Sequence, residues 1–467
     1  MKTKSKLIYI QVLFAFITIS SCKVSQPYVR PEVDAHNLFR DSLMSDTNSN
    51  ALLPWRKLFA DTILQKIIQE GISNNLNLQN AVLKIAEAEA SMKQAKVANL
   101  PSLEAGLNAS RTQSSVTGSG GGTNAVSNSN DQTQAFLNVS WEADIWGKMN
   151  SLKKRSVALF FQSNASKRVV ETRLIASIAN YYYLLLAYDK RLEITRQTIE
   201  NRISDIETNK RLFQANMGTA AAIVQSEASR YAAEISVPDL EQRIRETENA
   251  ISILISRPPG AIERNTLADQ VPLTMLQAGL STHLLKNRPD IQEAEYGFIA
   301  AFENTNAAKT YFYPSLVITA QGGLYSQTLK SIFNGSFFYS LTGGLTQPLF
   351  NKRENKTRYE TARAKQRQAF NTYHQTILIA GQEVSDALFS HQQSLKKQEL
   401  RKLEIDALEK SVKYTKSLLL YGNSTNYIDV LSSEQRLLTS QLEGVDDKLQ
   451  QLQSTVYLYS ALGGGWQ

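Results

Sequence analysis

The sequence predicts a mixed α and β membrane protein made of two tandem structural repeats, in which strands and not helices cross the bilayer. Three features point there: an internal repeat, two very long helical runs, and segments of strict alternation lying between helices. Of the 467 residues 42% are hydrophobic, yet past the N-terminus no stretch reaches the roughly 18 uncharged apolar residues that a spanning helix needs. The nearest, residues 174–188, is too short and contains Asn180.

The first 21 residues read as a signal peptide and stand apart from the fold. Lys2, Lys4 and Lys6 form its basic region and residues 7–19 its apolar region. Ile19-Ser20-Ser21-Cys22 then resembles a bacterial lipobox, in which small residues admit the signal peptidase and the thiol receives a diacylglycerol. Cys22 is the only cysteine, so an intramolecular disulfide is closed to it. A covalent lipid on Cys22 is the one attached group expected, with no other cofactor and no metal, and such an anchor needs a second membrane contact for permanence. By resemblance to bacterial lipoproteins, Lys23 in place of an acid after the anchor favours the outer membrane. Residues 22–61 would then be a lipid-anchored leader to two repeats, 62–260 and 261–467. The formal net charge of +8 falls to +5 without the three signal lysines. It is spread over many helices, without the basic stripe and interleaved aromatics of a nucleic-acid site.

The repeat is visible residue by residue. Asn77-Leu78 through Leu100-Pro101-Ser102-Leu103 matches Asp290-Ile291 through Tyr313-Pro314-Ser315-Leu316 at a constant offset of 213. Ala215-Asn216 with Ile223, Ser226 and Glu227 matches Gly422-Asn423 with Val430, Ser433 and Glu434 at an offset of 207. The difference comes from a Gly/Ser/Asn-rich insertion at 118–130, whose composition predicts an exposed loop. Each copy reads as helix, strand, loop, strand, very long helix, turn, helix.

Period-two alternation marks two β-hairpins, 103–146 and 315–350. Ala135, Leu137, Val139, Trp141, Ala143 and Ile145 share one face, against Asn138, Ser140, Glu142 and Asp144. Phe337, Tyr339, Leu341, Gly343 and Leu345 do the same against Phe338, Ser340, Thr342 and Gly344, and Leu316, Ile318 and Ala320 open the partner strand. Each strand reaches the roughly 9–11 residues that cross a bilayer on a tilt, although a hairpin on a soluble core would alternate in the same way. The helical runs at 147–213 and 351–421 decide between these readings. Free of proline and rich in Ala, Leu, Glu, Gln, Lys and Arg, each would rise about 100 Å, which no ordinary globular domain contains twice. Pro238, inside the returning helix of the first copy, predicts a kink or two helices end to end. Four strands cannot close a barrel, and lipid does not tolerate open sheet edges. Oligomerisation follows.

Specific motifs now carry a family resemblance. They are Arg288-Pro289-Asp290-Ile291 with Glu293-Ala294-Glu295, and the C-terminal Ala461-Leu462-Gly463-Gly464-Gly465-Trp466. Tyr28-Val29-Arg30-Pro31, Pro54-Trp55 with Leu58-Phe59 and Asp61, and Tyr427-Ile428-Asp429-Val430-Leu431 support them. Over essentially the whole mature chain the protein resembles the NodT/TolC type of outer-membrane efflux lipoproteins. The resemblance implies a homotrimer with one twelve-stranded outer-membrane β-barrel, four strands from each chain, continued by a long periplasmic α-helical barrel. It implies a passive exit duct whose partners are a periplasmic adaptor and an inner-membrane transporter of the RND type. The same fold also serves protein secretion, and a structural envelope lipoprotein without a pore is a third reading.

No catalytic constellation competes with this. The four histidines, His36, His283, His374 and His391, stand in no metal-ligand spacing, and G-x-S-x-G, P-loop and H-E-x-x-H motifs are absent from the sequence. The resemblance implies instead that the functional residues are those of a periplasmic gate at the helix tip of the second repeat. Asn216 and Asn423 stand where the family has glycine at the two tip turns, and Asn is the residue that best replaces Gly at positive φ. After the second turn Ile428, Ser432 and Gln435 share one helical stripe. The resemblance implies an apolar ring from Ile428. Asp429, one residue round, either contributes like charges near the axis or faces solvent or an interhelical Lys or Arg.

Overall fold

The computed structural model of the protein describes residues 24–32, 54–115, 127–271, 287–421 and 426–464. Its helices are α1 (Trp55–Leu58), α2 (Thr62–Asn74), α3 (Leu76–Val97), α4 (Lys148–Gln214), α5 (Ala220–Leu254), α6 (Pro289–Thr310), α7 (Glu354–Tyr421) and α8 (Tyr427–Ala461). Its strands are β1 (Ser102–Ser115), β2 (Ser127–Ala143), β3 (Ser315–Ser326) and β4 (Ser336–Thr346), with a 3-10 turn at Leu329–Asn334. Each half of the chain thus runs helix, strand, strand, very long helix, helix. α4 and α7 hold 67 and 68 residues without a break. Two compact units form, and each draws on both halves.

The first unit (1–32, 86–162 and 294–372) carries one sheet in the order β1-β2-β3-β4, with all neighbours antiparallel. β2 begins at Ser127, so residues 127–130, read from composition as loop, extend the ladder opposite 112–115. A ladder needs N–H and C=O groups, not apolar side chains, so a Ser/Asn-rich extension gives no alternation to detect. The last strands end at Ala143 and Thr346, and Ile145 lies past β2 in a turn, its N–H donating to Ala143 O at 2.9 Å. The segment 24–32 packs along α6. Tyr28 meets Phe298 and Phe302 edge-on at 5.8 and 5.7 Å, and Arg30 Nη2 lies 2.8 Å from Glu295 Oε2.

The second unit (33–85, 163–293 and 373–467) holds the main core. Trp55, Phe59, Leu64 and Ile68 pack with Ile175, Ile178, Tyr182, Leu185 and Leu186 of α4, and with Ile251, Ile255, Val456 and Tyr459. The 174–188 run is therefore the spine of a water-excluded core, where each fully buried aliphatic side chain contributes about 1.5–3 kcal/mol. Among the described residues no helix is long and apolar enough to cross a membrane. Asp61 caps α2, its Oδ1 accepting from the N–H groups of Ile63 and Leu64 at 2.8 and 3.2 Å. Its Oδ2 accepts from the Tyr182 hydroxyl at 2.7 Å and from Gln270 Nε2 at 2.8 Å. Burial pushes the Asp61 pKa up, but hydrogen bonds from Tyr182, Gln270, Leu64 and Asn265 outweigh it and hold the group below its ordinary value.

Pro238 does not divide its helix: α5 is one helix of 35 residues. Pro238 is exposed and the helix runs through it, so the alternative of two helices end to end does not hold. The turn after α4 keeps the expected left-handed residue, Asn216 at φ +60°. Met217 N–H donates to Leu212 O at 2.8 Å and Asn216 N–H to Phe213 O at 3.0 Å, the paired bonds of a Schellman end.

Candidate functional site

The register of the sheet sorts its side chains onto two faces, since directly paired residues point the same way. Leu103, Ala105 and Leu107 pair with Val139, Leu137 and Ala135. These pair onward with Ala320, Gly322 and Leu324, which pair with Leu341, Tyr339 and Phe337. Trp141 joins Ile318 and Gly343, and Ala143 joins Leu316 and Leu345. One face is thus apolar across all four strands; seven of its large side chains, Leu103, Leu107, Leu137, Phe337, Tyr339, Leu341 and Leu345, are exposed, and Leu316, Ile318 and Leu324 are half-buried. A soluble monomer rarely leaves a contiguous apolar patch beyond a few hundred Å² in water, so this face belongs against lipid.

The opposite face carries Ser102, Glu104, Asn108, Gln134, Asn138, Ser140, Thr319, Gln321, Ser340 and Thr342. Hydroxyls and amides dominate it. Phe136 is an exception with a structural reason: its ring lies over Gly106, where an added Cβ would come 2.5 Å from Phe136 Cζ. The glycine is what lets the ring lie flat on the sheet. At the helix-proximal end the strands are ringed by aromatics whose polar atoms are tied to backbone. Trp146 Nε1 donates to Pro314 O at 2.7 Å, Trp141 Nε1 to Asn99 O at 2.8 Å, and the Trp146 and Tyr313 rings lie 4.8 Å apart. Such a belt marks a membrane–water interface.

In the second unit the expected gate residues are held by a cap that sequence reading did not single out. Asn426 is the N-cap of α8. Its Oδ1 accepts from Asp429 N–H at 3.2 Å and its own N–H donates to Asp429 Oδ2 at 3.3 Å, a reciprocal capping box. The Asn426-x-x-Asp429 spacing was the signal that could have revealed it. Tyr427 and Val430, three apart, turn inward and are buried, while Ile428 is 60% exposed. Ser432 and Gln435 are exposed with it, so the stripe of three stands free in the single chain. Asp429 is exposed too, and its carboxylate serves the cap. Cys22 and Asn423 lie outside the described residues.

An ion network that the sequence did not announce lies behind this stripe. Arg202 of α4 pairs with Glu434 of α8, and Lys416 of α7 lies 2.6 Å from Glu434 and 3.1 Å from Asp205. Arg202 also lies 3.6 Å from Asp205, and its side chain is almost wholly buried. Glu434 belongs to the repeat match, but its partners are 232 and 18 positions away, beyond any local pattern. Among the described residues no group of three or more His, Cys, Asp or Glu could hold a metal. His391 is a core residue, with burial lowering its pKa and Nδ1 3.4 Å from Ser454 Oγ.

Known proteins share this architecture. The sequence profile of the outer membrane efflux protein family matches residues 67–256 and 280–464. The chain is 27% identical over 472 residues to the probable outer membrane lipoprotein SilC of Salmonella typhimurium, covering 99% of each. It is 25% identical over 460 residues, 97% of each chain, to the cation efflux system protein CusC of Escherichia coli O157:H7. Among solved structures, the open state of the Neisseria gonorrhoeae MtrE outer membrane channel superposes with a TM-score of 0.83 at 26% identity, over 96% of this chain and 99% of that one.

Proposed function

This chain belongs to the outer membrane efflux protein family, and from that premise we propose that three copies close one barrel and serve as the exit duct for an inner-membrane RND transporter and its periplasmic adaptor. It is an outer-membrane efflux channel component. The observation that carries the trimer is the sheet: four strands with one continuous apolar face and two open edges, β1 and β4. Unpaired edges are not tolerated in lipid, and edge-to-edge pairing of copies satisfies them. The polar face then lines a water-filled bore, and a covalent lipid on Cys22 supplies the second membrane contact. Transport through it is passive, without catalysis by this chain. Small-solute efflux is favoured over protein secretion because CusC, alike over nearly its whole length, is named for cation efflux.

The closed end of the duct is the start of α8. Three copies of Ile428 meet as an apolar ring, with Ser432 and Gln435 behind it on the same stripe. Asp429 braces the helix start through its cap. Ile428→Ala should raise single-channel conductance in planar bilayers and admit a bulky antibiotic such as vancomycin into cells. Unchanged conductance and uptake in a correctly assembled trimer would place the constriction elsewhere, with Met217 and Tyr421 the next residues to replace.

A further inference from the structure

We propose that a basic groove beside α6 and α7 binds the phosphate of an anionic glycerophospholipid in the periplasmic leaflet of the outer membrane. The proposal rests on the outer-membrane reading above. A cavity of about 560 Å³ in the first unit is lined by Lys309, Arg363 and Arg367, by Gln26, Asn306 and Gln366, and by a floor of Phe298, Phe302, Tyr359 and Phe370, with no carboxylate in its wall. None of the three cationic side chains makes an ion pair or hydrogen bond among the described residues. Arg363 and Arg367 stand four apart on α7, where like charges repel across one turn. Their neighbours, Arg353 just before α7 and Lys356 and Arg358 on it, are paired with Glu360 or Glu354. A site with three free cations and no acid lacks an anion, and a phosphodiester supplies one with acceptor oxygens for both guanidinium groups.

The position selects a lipid. Lys309 stands in the last turn of α6, six residues before β3 begins at Ser315, so it lies within about 10 Å of the strand start along the helix. The interfacial aromatics Trp146 and Tyr313 lie between the two. The headgroup zone extends roughly 5–7 Å beyond the hydrocarbon, and Lys and Arg side chains reach upward while their stems stay on apolar surface. Gln26 fixes the same level of α6, its N–H donating to Asn306 Oδ1 at 3.4 Å and its carbonyl accepting from Asn306 Nδ2 at 2.9 Å. Cys22 stands four positions before Gln26, at most about 14 Å of extended chain, which keeps a lipid on it within reach of the same leaflet. The Phe and Tyr floor suits the glycerol and first methylenes, which inorganic phosphate lacks.

The test uses purified full-length protein in dodecyl maltoside, following thermal dissociation of the oligomer with added phosphatidylglycerol or inorganic phosphate. Wild type should be stabilised by phosphatidylglycerol alone. The triple variant Lys309→Gln, Arg363→Gln, Arg367→Gln should need at least ten-fold more lipid for the same shift. Arg363→Gln and Arg367→Gln singly, both at exposed positions, should show intermediate losses and stand in if the triple variant does not fold. An unchanged lipid response in the variants would overturn the proposal. So would an equal effect of inorganic phosphate, which would mean a small-anion site. An oligomer that dissociates at lower temperature in the variants by the same amount with and without phosphatidylglycerol would overturn it too, and make the groove a contact between copies. Planar-bilayer conductance of the same preparations separates the two readings: channels without the lipid effect leave the duct standing and remove only the lipid site.

Discussion

Arg288 Nη1 donates to the carbonyl oxygen of Ala461, 2.6 Å away and 173 positions later in the chain. The start of α6 is thereby fastened to the end of α8. Arg288 Nη2 also reaches Asp290 Oδ2 at 2.6 Å and Glu383 Oε2 at 2.7 Å, and its side chain is buried. The two most specific motifs of the sequence are therefore halves of one joint. Gly463 sits against it at φ +83°, where an added Cβ would lie 2.9 Å from Arg288 Cα. Its N–H and that of Gly464 donate to Ser460 O and Tyr459 O, both at 3.0 Å, closing α8 in the Schellman manner. Arg288→Met should cost about 3 kcal/mol, because Asp290, Glu383 and the Ala461 carbonyl lose a charged donor together. Gly463→Ala should cost about 1–2 kcal/mol from the left-handed backbone alone, and more if Arg288 must move. Urea unfolding in detergent measures both, and a change below 0.5 kcal/mol in either would show that the joint is not structural.

The Asp61 cap predicts a pH dependence of definite sign. Its folded pKa lies below the ordinary 3.8, so its contribution is present above the unfolded value and is lost as the pH falls through the folded one, below about pH 4. Asp61→Asn keeps a capping oxygen but replaces a charged acceptor of the Tyr182 and Gln270 hydrogen bonds. It should cost about 1–3 kcal/mol at neutral pH and narrow the gap to wild type as the pH drops from 4 to 2. Parallel unfolding curves over that range would remove Asp61 from the acid response.

Much of this was legible because the signals are periodic. Alternation placed Leu137 and Leu341 each on the apolar face of its own strand, and the lack of proline and near-lack of glycine gave α4 and α7 to within a few residues. Asn216 was readable as a turn residue because the family resemblance puts a glycine there and Asn best replaces Gly at positive φ. Long-range pairing was not: nothing local in Arg288 names Ala461, and nothing in Arg202 names Glu434. The residues 127–130 were misread as loop because backbone pairing leaves no mark in polar side chains. Asp429 reads in sequence as a bore charge, a solvent-facing acid or the partner of an interhelical Lys or Arg, and its capping role needed only the Asn three positions earlier.

The two sheet faces should differ in what they accept. Leu137 pairs with Ala105 near the middle of the apolar band, and an Arg there should destabilise the inserted protein by roughly 2–4 kcal/mol. Asn138, on the other face, pairs with Glu104, so Asn138→Arg meets both water and a carboxylate and should be nearly neutral. Insertion yield into lipid vesicles for the two variants measures this. Equal tolerance would mean that the sheet does not stand in lipid.

The Arg202–Glu434 pair should be strongly coupled and yet dispensable as a pair. Both side chains are nearly buried, and with Lys416 and Asp205 they join α4, α7 and α8. Arg202→Met alone leaves two carboxylates, Glu434 and Asp205, with only Lys416 between them, and should cost about 3–5 kcal/mol. Glu434→Leu alone leaves Arg202 with Asp205 at 3.6 Å, so its cost should be smaller. Desolvation is the reason the pair contributes little net: each ion gives up water before it gains its partner, and a well-packed apolar replacement avoids that loss. The double variant Arg202→Met with Glu434→Leu should therefore be more stable than Arg202→Met alone. A coupling energy above about 1 kcal/mol in the double-mutant cycle, measured by urea unfolding, is the expected outcome. Additive costs would mean that water reaches Arg202 and that the three helices are held by their apolar contacts alone.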